Sequence, residues 1–281
     1  MNKSNKNQQK LFLYKHSKAL VLMVGALSFL LAVLMIFLFN LQDTSYDVHD
    51  IVCKAIDKAE ADKTFILQLD TAAQINVGNM EQKTETSGYI TSVEELDLTH
   101  FYLNTFSSTT DNPDADFDVT VSVFSDGERV WDNSGGTAVE LDITCEEFDE
   151  IVDSFSLYKY NTNNVRDVLY IPKEIEGFDT SGEVTVILNT PEENVLSAYA
   201  EKLSEITEEK VNANELKILN AVVSYSLFDG KVQSQTYSFT VEYITSAGIA
   251  VRYGVSSQSA YGDPNNLLED YDDLVLLTEE E

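Results

Sequence analysis

Basic residues are scarce in this chain: 18 Lys and Arg stand against 48 Asp and Glu, a net charge of −30 at pH 7 over 281 residues. Such a surface repels phosphate backbones and anionic headgroups, which excludes nucleic acid and leaves a neutral ligand or a basic protein as partner. Histidine is nearly absent too, with three in all. His49 falls in a stretch of helical pattern and His100 in one of strand pattern, where each reads as a structural or solvent-facing side chain rather than a base. None of H-E-x-x-H, G-x-S-x-G, G-x-x-x-x-G-K-[ST] or C-x-x-C occurs. No nucleophile, base, phosphate loop or metal set converges, so the chain reads as non-enzymatic and without a cofactor. The acidic run Asp111, Asp114, Asp116, Asp118 is not an EF-hand. Counted from Asp114, Val119 replaces the turn glycine and Ser125 the closing glutamate. Prolines number four and no Gly/Ser-rich linker occurs, which argues for one continuous folded domain.

What is present, and organises the rest, is an uncharged run over residues 19–39, ALVLMVGALSFLLAVLMIFLF. At 1.5 Å per residue it is long enough to cross a hydrocarbon core of about 30 Å. Lys3, Lys6, Lys10, Lys15 and Lys18 precede it without an acid, and Asp43 is the first acid after it. The positive-inside rule then places the N-terminus in the cytoplasm and the large C-terminal part outside, as a single-pass protein of the cell membrane. The competing reading, a cleavable secretory signal, fits less well: the run exceeds the usual 7–15 apolar residues and has no small-x-small cleavage site. The expected organisation is a cytoplasmic basic segment over 1–18, a transmembrane helix over 19–39, a linker over 40–45, an extracytoplasmic domain over 46–271 and an acidic tail over 272–281. Outside the membrane, Cys53 and Cys145 are allowed to form a disulfide, because oxidising compartments permit one.

Within the outer part, Val48, Ile51, Val52, Ala55, Ile56 and Ala59 recur on one face of a helix, with Thr44 and Asp47 spaced like a capping box. Residues 64–77 alternate: Phe65, Leu67, Leu69, Ala73, Ile75 and Val77 fall on one side, and Gln68, Asp70, Gln74 and Asn76 on the other. The same period returns over 88–91, 96–106 and 117–123, where Asp126-Gly127 predicts a type I′ hairpin into Trp131. Thr144-Cys145-Glu146-Glu147 predicts a helix start before Phe148, Ile151, Val152 and Phe155. Thr190-Pro191-Glu192-Glu193 predicts another before Val195, Leu196, Tyr199, Leu203 and Ile206. Three long strands over 215–228, 231–244 and 248–260 close the domain, the middle one placing Tyr237, Phe239, Val241 and Tyr243 together. A sheet with one apolar face needs cover, and these helices supply it.

A tether, a helix running into a long strand over 51–77, an Asp-Gly-x-x-x-Trp element over 126–131 and a terminal hairpin pair ending in Tyr261-Gly262-Asp263-Pro264 together resemble the LolA/LppX-like lipoprotein-carrier superfamily. The resemblance implies an α+β fold: a strongly curved antiparallel sheet, or half-barrel, covered by about three helices. It also implies an apolar cavity that holds a lipid or other lipophilic, envelope-derived molecule. Members of the LppX-like group are lipid-anchored at a cysteine, whereas this chain carries a spanning helix, which keeps the anchoring and leaves cargo shuttling without a means. The expected cavity lining is Phe65, Leu67, Leu69, Phe101, Phe117, Tyr237, Phe239 and Tyr243. The same side chains suit a filled core, which would make the domain a non-enzymatic protein-interaction or sensory module of the envelope; the residues alone leave both open.

Overall fold

A computed structural model of the chain describes residues 45–110, 116–153 and 155–262. The expected cytoplasmic segment, membrane span, linker and acidic tail lie outside the described residues, among which no helix is long and apolar enough to cross a membrane. The chain divides into two units after Asp47, and the sheet lies wholly in the second.

Helix α1 (Ser45–Glu60) leads into β1 (Phe65–Val77), β2 (Met80–Val93), β3 (Leu98–Thr109), β4 (Phe117–Ser125), β5 (Val130–Asp132) and β6 (Val139–Glu140). Helix α2 (Cys145–Asp153), β7 (Val165–Pro172), β8 (Gly182–Leu188), α3 (Glu193–Thr207), β9 (Lys217–Phe228), β10 (Lys231–Ile244) and β11 (Ala250–Gly262) follow. All eleven strands form one antiparallel sheet in the order β6-β5-β4-β3-β2-β1-β11-β10-β9-β8-β7. Among the described residues the fold is therefore α+β, a large open antiparallel sheet with three α-helices.

Two facts about this order position everything else. The first and last strands pair in the middle of the sheet, from Ile66 with Gly262 to Val77 with Val251. Consecutive strands β6 and β7 stand at opposite edges, so residues 141–164 must run the full width of the sheet. This strap includes α2, and its side chains join the clusters of the helix-bearing face. Phe148 of α2 packs with Leu67, Leu69, Ile90, Phe101 and Val130; Leu157 and Tyr160 pack with α1, α3 and β8–β11. In register, Leu67, Tyr261, Val255, Phe239 and Val223 fall on that one face. A smaller cluster of Leu98, Phe124 and Trp131 backs the opposite face.

Helix α1 forms as its periodicity requires: Val48, Val52, Ala55, Ile56 and Ala59 are all buried. Its expected cap includes Thr44, outside the described residues. At α2 the Thr144 hydroxyl accepts from the Glu147 N–H (3.2 Å) while Glu147 accepts from the Thr144 N–H (2.8 Å), the reciprocal capping box its sequence predicts. At α3 the expected cap is corrected. Glu192 holds the N-cap position without a side-chain cap bond, because its carboxylate accepts instead from the Asn161 N–H of the strap at 2.9 Å. Strands β7 and β8 are additions to the sequence reading.

The turns divide similarly. Asp229 and Gly230 both have positive φ (51° and 69°), as a two-residue type I′ turn between β9 and β10 demands. At Asp126-Gly127 only the glycine does (83°), which corrects the expected I′ turn to a four-residue loop built on the Asp126 carboxylate. That carboxylate accepts from the N–H groups of Glu128 (3.0 Å) and Arg129 (2.7 Å) and from the Trp131 indole (3.2 Å). Burial, the largest influence, pushes the Asp126 pKa up, but these donors and the Arg129 charge together hold it below the ordinary aspartate value. Since the folded pKa is the lower one, this stabilisation is complete above the unfolded value of about 4 and is lost as pH falls through the folded value. Asp126→Asn is expected to flatten the acid limb of thermal stability below about pH 4. Identical acid limbs for both proteins would contradict the assignment.

Candidate functional site

The strap is held to the sheet at Tyr158. Gln235, a buried residue on the helix-bearing face of β10, accepts from the Tyr158 N–H (2.9 Å) and donates to the Tyr158 carbonyl (2.8 Å). The fully buried Tyr225 donates its hydroxyl to the same carbonyl at 2.7 Å. One residue on, Lys159 reaches Asp57 (3.0 Å) and Glu60 (3.1 Å) of α1. Polar side chains rising from a sheet face and from α1 thus replace the ladder bonds that an irregular segment cannot make for itself.

Either side of this strap lies a hollow. The first, about 500 Å³, has Tyr158, Leu157 and Lys159 of the strap, Glu192, Val195 and Tyr199 around the start of α3, and Tyr237, Phe239 and Val255 of β10 and β11. Its aromatic wall is continuous: Tyr237 stacks on Phe239 with ring centroids 5.2 Å apart, and Tyr158 meets Phe239 at 5.3 Å. Tyr199 meets Tyr253 at 4.9 Å, and burial, then Tyr253 and Tyr237, push its pKa far above that of a free phenol. Three of the residues that line this hollow carry a buried polar atom without a hydrogen-bond partner among the described residues: the hydroxyls of Tyr158 and Tyr199 and the second carboxylate oxygen of Glu192. The second hollow, about 370 Å³, is lined by Phe65, Leu67, Ile90, Val152, Phe155 and Tyr261 together with Glu60, Asp153 and Ser156. Burial, then Glu60 and Asp62, push the Tyr261 pKa up to about 12. Glu60 and Ser156 line both hollows, so the two are neighbours across the strap. A further hollow of about 280 Å³ lies past the end of α1, beside the Lys231–Asp62 ion pair. One of about 560 Å³ sits under the β7–β8 loop at the sheet edge, away from the helices.

Of the residues expected from sequence, Tyr237 and Phe239 line the first hollow, and Phe65 and Leu67 the second. Leu69 and Phe101 are buried beneath α2, Phe101 against Phe155 at 5.1 Å, and line neither. Phe117 is 48% exposed on β4, and Tyr243 donates to Glu209 at 2.9 Å. Sequence reasoning read Glu192 only as part of a helix start and Tyr199 only as part of a helix stripe, and did not single out Tyr158 or Val255. Tyr158 lies in an irregular segment with no period to read, and nothing local says that a strap would pass over the other three. His49 packs edge-on against Tyr160 at 4.9 Å, and buried His100 lies 3.0 Å from the Ser122 hydroxyl.

The two cysteines of the permitted disulfide lie on separate helices, Cys53 on α1 and Cys145 at the start of α2. Both cysteines are free: Cys53 lies 3.4 Å from the His49 imidazole, and Cys145 accepts from the Ser125 hydroxyl at 3.4 Å. The helices that carry them belong to different core clusters, α1 with β8–β11 and α2 with β1–β5. Burial, then Asp57, push the Cys53 thiol up, away from thiolate chemistry. Of the acidic run, Asp116 accepts from the Thr109 N–H and Asp118 from Asn104, while Asp111 and Asp114 lie outside the described residues.

No protein-family model matches the chain, and no curated protein matches it in sequence. Among solved structures it is similar to LprF from Mycobacterium bovis, with 8% identity, a TM-score of 0.33 and coverage of 74% of this chain and 91% of that one. It is similar to the Mycobacterium tuberculosis lipoprotein LppX, with 7% identity, a TM-score of 0.31 and coverage of 77% and 93%. A DUF1329 family protein from Desulfovibrio piger shares 9% identity, a TM-score of 0.21 and coverage of 79% and 92%.

Proposed function

We propose that the chain is a membrane-tethered, extracytoplasmic binding protein. Residues 19–39 anchor it with the N-terminus in the cytoplasm, its sheet curves into a half-barrel, and a lipophilic or envelope-derived molecule lies between sheet and helices. The observation that carries this reading is the pair of adjoining hollows, about 500 and 370 Å³, within the size range of small-molecule sites and lined by aromatic and aliphatic side chains alongside charged ones such as Glu60, Asp153, Lys159 and Glu192. In this reading the protein holds its ligand without transforming it. Full-length protein isolated in mild detergent and extracted with solvent is expected to yield a near-stoichiometric lipophile by mass spectrometry. Val152→Trp and Val195→Trp, which place an indole in the second and first hollow respectively, are expected to lower that yield several-fold. A clean apo protein that takes up nothing from mixed lipids would sink the reading.

A second reading, an interaction module meeting a basic or apolar protein surface, has one observation in its favour. Phe117, Val119 and Val121 alternate along β4 and are 48%, 48% and 38% exposed, an apolar stripe of the kind that marks contact surfaces. An apo protein that captures a protein partner through this stripe would move the assignment there.

A further inference from the structure

The sheet is open, and its two edges are unlike. Among the described residues β6, two residues long, stands at one edge and β7, eight residues long, at the other. A long edge strand presents a row of backbone groups on its outer side, a ready template for another strand. The ladder shows which residues present them. Lys173 donates its N–H to the Ser181 carbonyl at 2.9 Å, and one unbroken register with β8 runs from Pro172 opposite Gly182 to Asp167 opposite Ile187. Hydrogen-bonded pairs alternate along an antiparallel ladder. Lys173, Ile171, Leu169 and Asp167 therefore turn their N–H and C=O groups toward β8, while Pro172, Tyr170 and Val168 turn theirs outward. Proline suits an outward position, where its missing N–H costs the pairing with β8 nothing. The outward Val168 N–H is met within the strand, by the Asp167 carboxylate at 2.9 Å. Side chains divide by the same alternation: Val168 and Tyr170 pack against the main core cluster, whereas Leu169 and Ile171, on the other face, are 50% and 53% exposed.

We infer that β7 is a docking edge for a second copy of this chain, the two β7 strands pairing antiparallel about a two-fold axis at Tyr170. In that register Tyr170 lies opposite the partner's Tyr170, and Val168 opposite the partner's Pro172, all of them outward-facing residues. The tyrosines exchange N–H···O=C bonds in both directions, and each Val168 N–H reaches the partner's Pro172 carbonyl. On the other face Leu169 meets the partner's Ile171, apolar against apolar, and Asp167 meets the partner's Lys173, acid against base. The Asp167 carboxylate is released for that pairing when the incoming carbonyl takes over the Val168 N–H. A one-residue slip would set outward groups against inward ones, and the two-residue slip that centres on Leu169 would oppose Asp167 to the partner's Ile171. Charge favours this edge as well. Residues 165–173 carry Arg166 and Lys173 against a single acid, Asp167, in a chain of 48 acids and 18 basic residues, so two copies that repel elsewhere do not repel here. The pairing goes beyond the proposed binding function and is independent of any ligand in the hollows.

Full-length protein in mild detergent is expected to sediment as a concentration-dependent dimer. The dimer should tighten as salt screens the repulsion between two chains of net charge −30. Leu169→Lys and Ile171→Glu, each at an exposed site, should move the thermal midpoint by about 1 °C or less. Each should weaken the dimer about tenfold, since it sets a charge against an apolar side chain of the partner. Combining the two in one chain should restore most of the affinity, because each introduced lysine then faces an introduced glutamate. Mixed Leu169→Cys and Ile171→Cys proteins should also form a disulfide-linked dimer on mild oxidation, beyond any given by the wild type, as directly opposed residues of a non-hydrogen-bonded pair lie within disulfide reach. Either cysteine variant alone should not. A protein that stays monomeric at every concentration overturns the second copy as occupant of this edge. A dimer that Leu169→Lys leaves intact, or that the combined variant fails to recover, is joined elsewhere and overturns the edge pairing.

Discussion

Gln235→Leu is expected to lower the thermal unfolding midpoint of the full-length protein by roughly 6–12 °C. Leucine preserves much of the volume but carries neither the acceptor for the Tyr158 N–H nor the second donor to its carbonyl. Gln235 is 3% exposed, so little water replaces it, and an orphaned buried N–H costs about 1–3 kcal/mol beyond the lost bonds. About 3 kcal/mol in a domain of this size corresponds to that shift in midpoint. The carbonyl keeps its bond from the Tyr225 hydroxyl, which makes a second variant informative. Tyr225→Phe alone is expected to cost about 1 kcal/mol. Combined with Gln235→Leu it should cost more than the sum, because only the double variant strips the carbonyl of both donors. Strict additivity would mean that the two side chains do not share the strap as their common partner. Since the strap separates the two hollows, Gln235→Leu should also lose retained ligand under conditions where the protein remains folded.

The other large effect is expected at Gly88, where the requirement is purely spatial. Gly88 has no unusual φ; it sits in β2 between Leu69 of β1 and Leu103 of β3. A methyl group there would drive into the Tyr102 carbonyl oxygen and approach the Leu103 Cα and Cδ2 at 2.9 Å. Backbone of a paired neighbouring strand cannot rotate aside as a side chain can, so β2 and β3 must separate under α2. Overpacking of this kind costs about 1–3 kcal/mol and sometimes more, and Gly88→Ala belongs at the upper end, roughly 6–12 °C in midpoint. Gly135→Ala is the comparison, since an added Cβ there meets nothing within 4 Å. It should shift the midpoint by about 1 °C or less. Equal midpoints for the two variants would show that the β2–β3 pair yields to accommodate the methyl.

How legible these features were in the sequence depends on how far apart the interacting residues lie. Val48 to Ala59 state their own helix and its buried side, and the structure buries that side. Thr144 and Glu147 state their own cap, three residues apart. Cap prediction failed at Glu192 because Asn161, thirty-one residues away, competes for its carboxylate. The turn at Asp126 failed because the Trp131 indole and two backbone N–H groups draw the carboxylate into a longer loop. β8 was readable in principle from Val184, Val186 and Leu188, all buried. β7 was not, since a register shift between Val165 and Asp167 breaks its period and much of it is exposed at the sheet edge.

The sequence by itself determined the acidic surface, the uncharged run before Asp43, the three helices and most of the strands. Each of these is a property of residues a few positions apart, written as charge, hydropathy or period. Only the tertiary structure decided that β1 pairs with β11. Only it, therefore, decided that β6 and β7 stand at opposite edges, that residues 141–164 cross the sheet, and that Gln235 anchors them. Every half-buried antiparallel strand carries the same alternation, so periodicity says which face is buried and not which strand lies alongside. Neighbours are chosen by the packing of the whole sheet, and the hollows either side of the strap exist only once that choice is made.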